Sequence, residues 1–120
     1  RAFDASTTQE SFFEEVAEPH VRRLIGDGRS SVVCAYGHTG GGKTHTMEGS
    51  KSDPGVLPRS MALLFQLAEE VSDVSVGLGY YEVYNEGIHD LLAAPDLGPG
   101  RKPPLRLKED AGGRVFVAGL

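Results

Sequence analysis

The sequence has 120 residues, of which 39% are hydrophobic, with a formal net charge of -5 and one cysteine. This size and composition predict a single globular domain, and no apolar run is long enough to cross a bilayer. The negative charge disfavours a module whose main task is to hold nucleic acid by its phosphates. Cys34 has no second cysteine for a disulfide, and no secretory leader is recognisable, so we expect an intracellular, reducing compartment.

The first predicted element is a helix that follows the cap-type residues of positions 6–11. Its apolar residues recur near helical spacing as far as Gly26, and Pro19 is expected to kink the helix or split it, because a proline ring clashes with the preceding turn. The apolar, β-branched run from Ser30 to Tyr36 then predicts a buried parallel strand, in which Cys34 packs as a small hydrophobic residue.

A glycine-rich loop follows this run and matches the pattern G-x-x-x-x-G-K-[ST] of nucleotide phosphate loops. Glycines let the backbone turn its N–H groups toward phosphate oxygens, and a lysine in the pattern reaches the β and γ phosphates. The hydroxyl of Thr44 is predicted to be a Mg²⁺ ligand, since Mg²⁺ prefers oxygen and shares its ligands with phosphate. The alternative, a flexible connector, leaves the fixed positions of the pattern unexplained. The predicted ATP-binding residues are Gly37, His38, Thr39, Gly40, Gly41, Gly42, Lys43 and Thr44.

The elements after the loop alternate between helix and strand signals. A short helix begins at Lys43, a polar surface loop covers 48–55, and a second helix is predicted from about Pro58 through Val71. Alternating residues from Val74 to Tyr84 predict a strand with one buried face. The resulting fold class is α/β, with a mostly parallel central sheet flanked by helices.

The last part of the chain predicts a short helical turn, a loop and a hairpin. Asn85 is expected to cap a helical turn that carries Ile88, Leu91 and Leu92, before a loop rich in proline and glycine over 95–104. Two short apolar segments over 105–118 flank a turn and predict a small C-terminal β-hairpin lobe.

Taken in order, these segments resemble the motor domain of kinesins, the microtubule-tracking ATPases. The run Ala35 to Gly49 is similar to the kinesin phosphate loop and its extension, although His38 and Gly41 stand where glutamine and serine are commonest. A second block over 80–92, which contains Tyr-Glu-Val-Tyr-Asn-Glu, is highly kinesin-specific, and the likeness continues to Leu120. The resemblance therefore implies a partial kinesin motor domain over residues 1–120.

The resemblance also implies roles for residues outside the loop. Phe13 stands where kinesins often place an aromatic ring against adenine, and packing in the core is an equally open role for it. His45 stands where a residue can border the same pocket. Arg106, Lys108 and Arg114 fall in the small lobe that touches tubulin in kinesins, or else form an ordinary solvated surface.

Hydrolysis requires a carboxylate near Mg²⁺ and groups that position water, and the sequence contains neither of the kinesin switch motifs that supply them. We therefore expect an internal segment of a longer, cytoplasmic, microtubule-associated motor, with no catalytic residue within the segment. The isolated chain is expected to be poorly stable and inactive as an ATPase. The alternatives are another P-loop NTPase, or a truncated, non-hydrolysing nucleotide-binding or interaction module.

Overall fold

A computed structural model describes residues 1–93 and 105–120. The chain divides into two compact units, Arg1–Ser75 and Val76–Leu120, where composition alone predicted one. The first unit is helical and contains the glycine-rich loop, and the described part of the second contains two β-hairpins. The predicted loop over 95–104 lies outside the described residues.

Two helices open the first unit, and the break between them is where proline predicts it. Helix α1 spans Gln9–Val16, and the hydroxyl of Thr8 caps it by accepting the backbone N–H of Ser11 at 3.1 Å. Helix α2 spans Glu18–Asp27, with Pro19 in its first turn, where a missing N–H costs no hydrogen bond. The predicted split of the helix is therefore confirmed.

Two further helices flank the polar loop. Helix α3 spans Lys43–Met47 and confirms the predicted helix start, whereas α4 spans Val56–Glu69 and begins two residues before the predicted Pro58. The core of this unit is a small apolar cluster of Phe13, Ala17 and Val56, which joins α1, the α1–α2 junction and α4. Met47, the last residue of α3, packs against this cluster, which links the helix after the glycine-rich loop to the core.

The predicted buried strand from Ser30 to Tyr36 is not formed within the described residues. The segment is not hydrogen-bonded as a strand, Val32 is 90% exposed, Tyr36 is 100% exposed and Cys34 is exposed rather than packed. A parallel strand exists only through ladder bonds to its neighbours, and the described part of the chain places no parallel neighbour beside this segment. The mostly parallel central sheet is consequently absent from the residues that the structure describes.

The second unit begins with a hairpin in place of the long strand and helical turn that the sequence predicted. Strands β1, Tyr81–Tyr84, and β2, Gly87–Asp90, pair antiparallel, with Val83 opposite Ile88. Asn85 and Glu86 both have positive φ values, 47° and 64°, which is the geometry of the two-residue turns whose twist matches a hairpin. The prediction that Asn85 caps a helical turn is therefore wrong. The predicted strand over 74–84 keeps its C-terminal limit at Tyr84 but begins only at Tyr81.

The C-terminal hairpin is confirmed. Strands β3, Arg106–Glu109, and β4, Val115–Ala118, pair antiparallel, and the carboxylate of Asp110 closes their turn by accepting the backbone N–H groups of Gly112 and Arg114 at 2.9 and 3.0 Å. None of the helices described over 1–93 and 105–120 has the length and apolar content needed to span a membrane.

Candidate functional site

The backbone of the glycine-rich loop bends in a way that suits glycine. Gly40 and Gly42 lie in the left-handed region, with φ values of 81° and 84°, where a side chain would strain the backbone. Gly42 is also the N-cap of α3, and its carbonyl accepts the backbone N–H of Thr46 at 2.9 Å. The loop thus passes directly into the helix, which is the order that the phosphate-loop pattern requires.

The side chain of Lys43 folds back over the loop. Its ammonium group donates hydrogen bonds to the backbone carbonyls of Gly37 at 2.9 Å and His38 at 2.8 Å. These bonds keep the ammonium group of Lys43 against the loop backbone, where an anion bound by the loop would lie. The ammonium group can exchange these carbonyls for an anionic ligand, because hydrogen bonds from ammonium to phosphate are stronger than those to neutral carbonyls.

His38 and Gly41 face each other across the loop. The carbonyl of His38 accepts the backbone N–H of Gly41 at 3.1 Å, and Nδ1 of His38 lies 2.8 Å from the carbonyl of Thr39. A Cβ atom added to Gly41 would lie only 3.1 Å from the His38 carbonyl, so even a small side chain would require a local shift. The two positions where this loop differs from the commonest kinesin form are therefore in mutual contact.

Thr44 occupies the first turn of α3 and is exposed, so that its hydroxyl is accessible to a ligand. Over residues 1–93 and 105–120 no group of three or more His, Cys, Asp and Glu side chains is arranged to hold a metal. A single hydroxyl fits Mg²⁺ only as one ligand among phosphate and water oxygens, which is how this ion usually binds beside nucleotides.

A cavity of about 330 Å³ lies beside α3, between this helix, the N-terminal segment and the start of α1. His45 and Thr46 line it from α3, and the neighbouring rings of Phe3 and Phe12, with centroids 4.9 Å apart, line it from the N-terminal segment and α1. Asp4 also lines the cavity, and hydrogen bonds, chiefly from the hydroxyl of Ser6, hold the pKa of its carboxyl below the usual value. The cavity therefore combines apolar rings with a carboxylate that stays ionised at neutral pH.

Phe13, the aromatic residue that the sequence analysis offered for contact with adenine, is not among the residues that line this cavity. Phe13 is 7% exposed and belongs to the core cluster with Ala17 and Val56, which is the packing role that stayed open beside adenine contact. Its neighbour Phe12, which the sequence did not single out, lines the cavity. Contact between Phe13 and adenine stays a prediction, and the core position explains the residue without it.

The three basic residues of the C-terminal hairpin are all exposed, but they are not equivalent. Arg106 and Lys108 alternate along β3 and so share one face of the hairpin. Arg114 instead pairs with Asp110, with its Nε atom 3.1 Å from the carboxylate. Two of the three cations are therefore presented together on a single strand, and the third is engaged at the turn.

Gln9 is a residue that the sequence analysis missed. It is 8% exposed, and its side-chain amide donates to the backbone carbonyl of His45 at 2.5 Å, which links the start of α1 to α3. A polar residue among other polar cap residues carries no periodic signal, so only the fold reveals this contact.

The comparisons with known proteins agree on one family. A family model described as the kinesin motor domain matches residues 1–120. Kinesin-like protein 5 of Schizosaccharomyces pombe is 40% identical over 123 residues, which cover 100% of this chain and 14% of that protein. The kinesin-like protein KIF22 of Mus musculus is 41% identical over 128 residues, covering 98% of this chain and 18% of that protein.

A solved structure of a KIF14 dimer, in the two-heads-bound state with AMP-PNP and in complex with a microtubule, is similar with a TM-score of 0.79 at 38% identity. The match covers 95% of this chain and 32% of that chain. The chain thus spans well under half the length of each of these proteins. The fold of its described residues is similar to part of a kinesin motor, a P-loop NTPase-like architecture.

Proposed function

Because the chain belongs to the kinesin motor-domain family, we propose that it supplies the ATP-binding part of a microtubule motor. In the full-length protein, ATP hydrolysis would be coupled to movement along microtubules. The observation that carries the proposal is the phosphate loop, in which the ammonium group of Lys43 is hydrogen-bonded to the Gly37 and His38 carbonyls. The corresponding location is the cytoplasm, on the microtubule cytoskeleton.

Different groups of the loop would bind the phosphates and the metal ion of a nucleotide. Backbone N–H groups of residues 37–44 would contact the phosphate oxygens, and Lys43 would exchange its two carbonyl partners for the β and γ phosphates. The Thr44 hydroxyl would be one ligand of Mg²⁺, which when bound neutralises charge on the terminal phosphates. ATP and Mg²⁺ are therefore the proposed cofactors, and the chain's own part is binding and orientation.

The cavity beside α3 supports a further part of the proposal. His45 lines this cavity and follows Thr44 directly, so a nucleotide held by the loop would have an apolar wall close to it. Stacking on an aromatic ring stabilises a bound base by about 1–3 kcal/mol. Phe12 is in place for such a contact, and it is the better candidate than the buried Phe13.

Contact with the microtubule is proposed for the C-terminal hairpin. Arg106 and Lys108 share one exposed face of β3, which suits an acidic protein surface. Arg114 is a weaker contact because Asp110 already neutralises it. Replacing Arg106 or Lys108 by alanine in the full-length protein is expected to weaken co-sedimentation with microtubules and to reduce its salt dependence, whereas Arg114→Ala changes it less.

The proposal is tested by titrating the full-length protein with a fluorescent ATP analogue in the presence of Mg²⁺. Lys43→Ala removes charged hydrogen bonds of about 1.5–3 kcal/mol and is expected to weaken binding by roughly ten- to a hundredfold. Lys51→Ala is the matched control, since this exposed lysine lies in the loop after α3 and is expected to leave affinity unchanged.

Three outcomes decide between the alternatives. Saturable binding with microtubule-stimulated phosphate release, both lost in Lys43→Ala, supports the motor. Binding without any turnover by the full-length protein supports the non-hydrolysing module, and no saturable binding refutes the proposal. The isolated 120-residue chain is expected to show no turnover in the same assay, because it lacks the water-positioning motifs.

A further inference from the structure

The described residues include one buried polar side chain, and it belongs to Gln9. Buried polar groups require a hydrogen-bond partner, and the partner that the fold provides here is the main chain of α3. The amide of Gln9 donates to the carbonyl oxygen of His45 at 2.5 Å, although 36 positions separate the two residues in the chain. The contact therefore joins helix α1 to the helix that continues the phosphate loop.

The His45 carbonyl needs this donor because α3 is short. In a continuing α-helix its partner would be the N–H of Gly49, but that group donates to the carbonyl of Thr44 at 3.3 Å. The next amide, that of Ser50, donates to Asp53 at 2.9 Å. The last carbonyls of a helix require outside donors, and Gln9 supplies one from a different element.

Gln9 is itself held by a rigid support. It is the first residue of α1, whose N-terminus is capped by Thr8, whose buried face carries Phe13 into the core cluster, and whose C-cap Ala17 belongs to the same cluster. A side chain on an element that is anchored by a cap and by core packing can restrain the position of its partner. The partner carbonyl belongs to the residue that follows Thr44.

We propose that Gln9 is a positioning residue that holds α3, and with it the Thr44 hydroxyl and the Lys43 end of the loop, in the geometry that binds Mg²⁺ and nucleotide. This inference rests on the proposed function for its consequence, but the hydrogen bond to α3 does not depend on it. Gln9 touches neither phosphate nor metal in this scheme and acts on α3 through the His45 carbonyl. Gln9 also lines the cavity beside α3, and a direct contact with a base there would change binding of the analogue without changing exchange at 43–49.

The test uses Gln9→Met in the full-length protein, since methionine keeps the length of the side chain and removes the donor. Gln66→Met on the exposed face of α4 is the matched control. In nucleotide-free protein, hydrogen–deuterium exchange across residues 43–49 is expected to accelerate by about three- to tenfold in Gln9→Met, the equivalent of one hydrogen bond. Exchange in α4 is expected to stay unchanged in both variants.

The functional arm measures the Mg²⁺ concentration that gives half-maximal binding of a fluorescent ATP analogue. We expect a rise of about three- to tenfold in Gln9→Met and none in Gln66→Met. Gln9→Leu, which also lacks a donor, is expected to behave like Gln9→Met, which keeps the test decisive if methionine impairs folding.

The outcomes separate this inference from the proposed function. Unchanged exchange at 43–49, or a lower unfolding midpoint with unchanged Mg²⁺ dependence in both Gln9 variants, overturns the positioning role. If the wild-type protein binds no nucleotide, the proposed function fails, and the positioning role in metal and nucleotide binding falls with it. The exchange arm then still reports whether the Gln9 bond supports α3.

Discussion

Gly49 offers a sharp test of how the loop after α3 is built. Its φ value is 71°, and a Cβ atom placed on it would lie 2.3 Å from both the Asp53 carbonyl oxygen and the Gly55 nitrogen. These are backbone atoms, so a flexible side chain cannot relieve the contact by moving aside. Gly49→Ala must therefore open the loop that joins α3 to α4.

The cost of opening this loop follows from the bonds that close it. The backbone N–H of Ser50 donates to Asp53 at 2.9 Å, and that of Gly55 donates to Glu48 at 3.0 Å. Losing two such bonds costs about 2 kcal/mol, and a left-handed alanine adds roughly 1–2 kcal/mol. We therefore expect Gly49→Ala to lower the free energy of unfolding by about 3–4 kcal/mol.

Urea unfolding of the full-length protein, followed by circular dichroism, measures this change. The matched control is Gly26→Ala within α2, where no atom lies within 4 Å of the added Cβ and alanine is favoured in a helix by up to about 1 kcal/mol. The same substitution is thus expected to destabilise the protein at one position and to stabilise it at the other. A Gly49→Ala protein as stable as wild type would refute the loop geometry described above.

Two further predictions concern the core and the C-terminal hairpin. Phe13→Ala should lower the free energy of unfolding by about 3–5 kcal/mol in the same urea assay, because it empties the centre of the small core cluster, and an unchanged midpoint would contradict this. The backbone N–H groups of Arg114 and Gly112, in that order, hold the pKa of Asp110 below its ordinary value of 3.8. The hairpin therefore gains stability from this carboxylate above pH 3.8 and loses it as the pH falls through the lower, folded-state pKa. An NMR titration of the Arg114 amide should follow this protonation, and Asp110→Asn should abolish the titration step.

The sequence predicted best those features whose causes are local. Pro19 splits the first helix because its ring and missing N–H act within one turn, and Thr8 caps α1 through the N–H of Ser11 three residues away. The β3–β4 hairpin likewise depends on Asp110 and the glycines beside it. In each case the residues that determine the structure are neighbours in the chain.

The features that sequence analysis missed depend on contacts between distant residues or on an unusual turn. The apolar run Ser30 to Tyr36 reads as a strand, but its propensity produces no ladder without neighbouring strands. The β1–β2 turn uses Asn85 and Glu86, and glutamate in the left-handed region gives none of the Asn-Gly signal that marks such turns. Phe12 and Phe13 are adjacent in α1, and both contact the core cluster. The sequence pattern alone therefore does not show that Phe13 is buried in it while Phe12 also lines the cavity.

The candidate site shows the same division between motif and surroundings. The pattern from Gly37 to Thr44 predicts which groups bind phosphate, but α3 has 5 residues, too few to be stable as an isolated helix. Its position is therefore set by contacts from outside the motif, which include the Gln9 bond to His45 and the Gly55 bond to Glu48. It follows that substitutions at Gln9 or Gly49 should weaken nucleotide binding although neither residue lies in the phosphate-binding pattern, because both alter the helix on which Lys43 and Thr44 are carried.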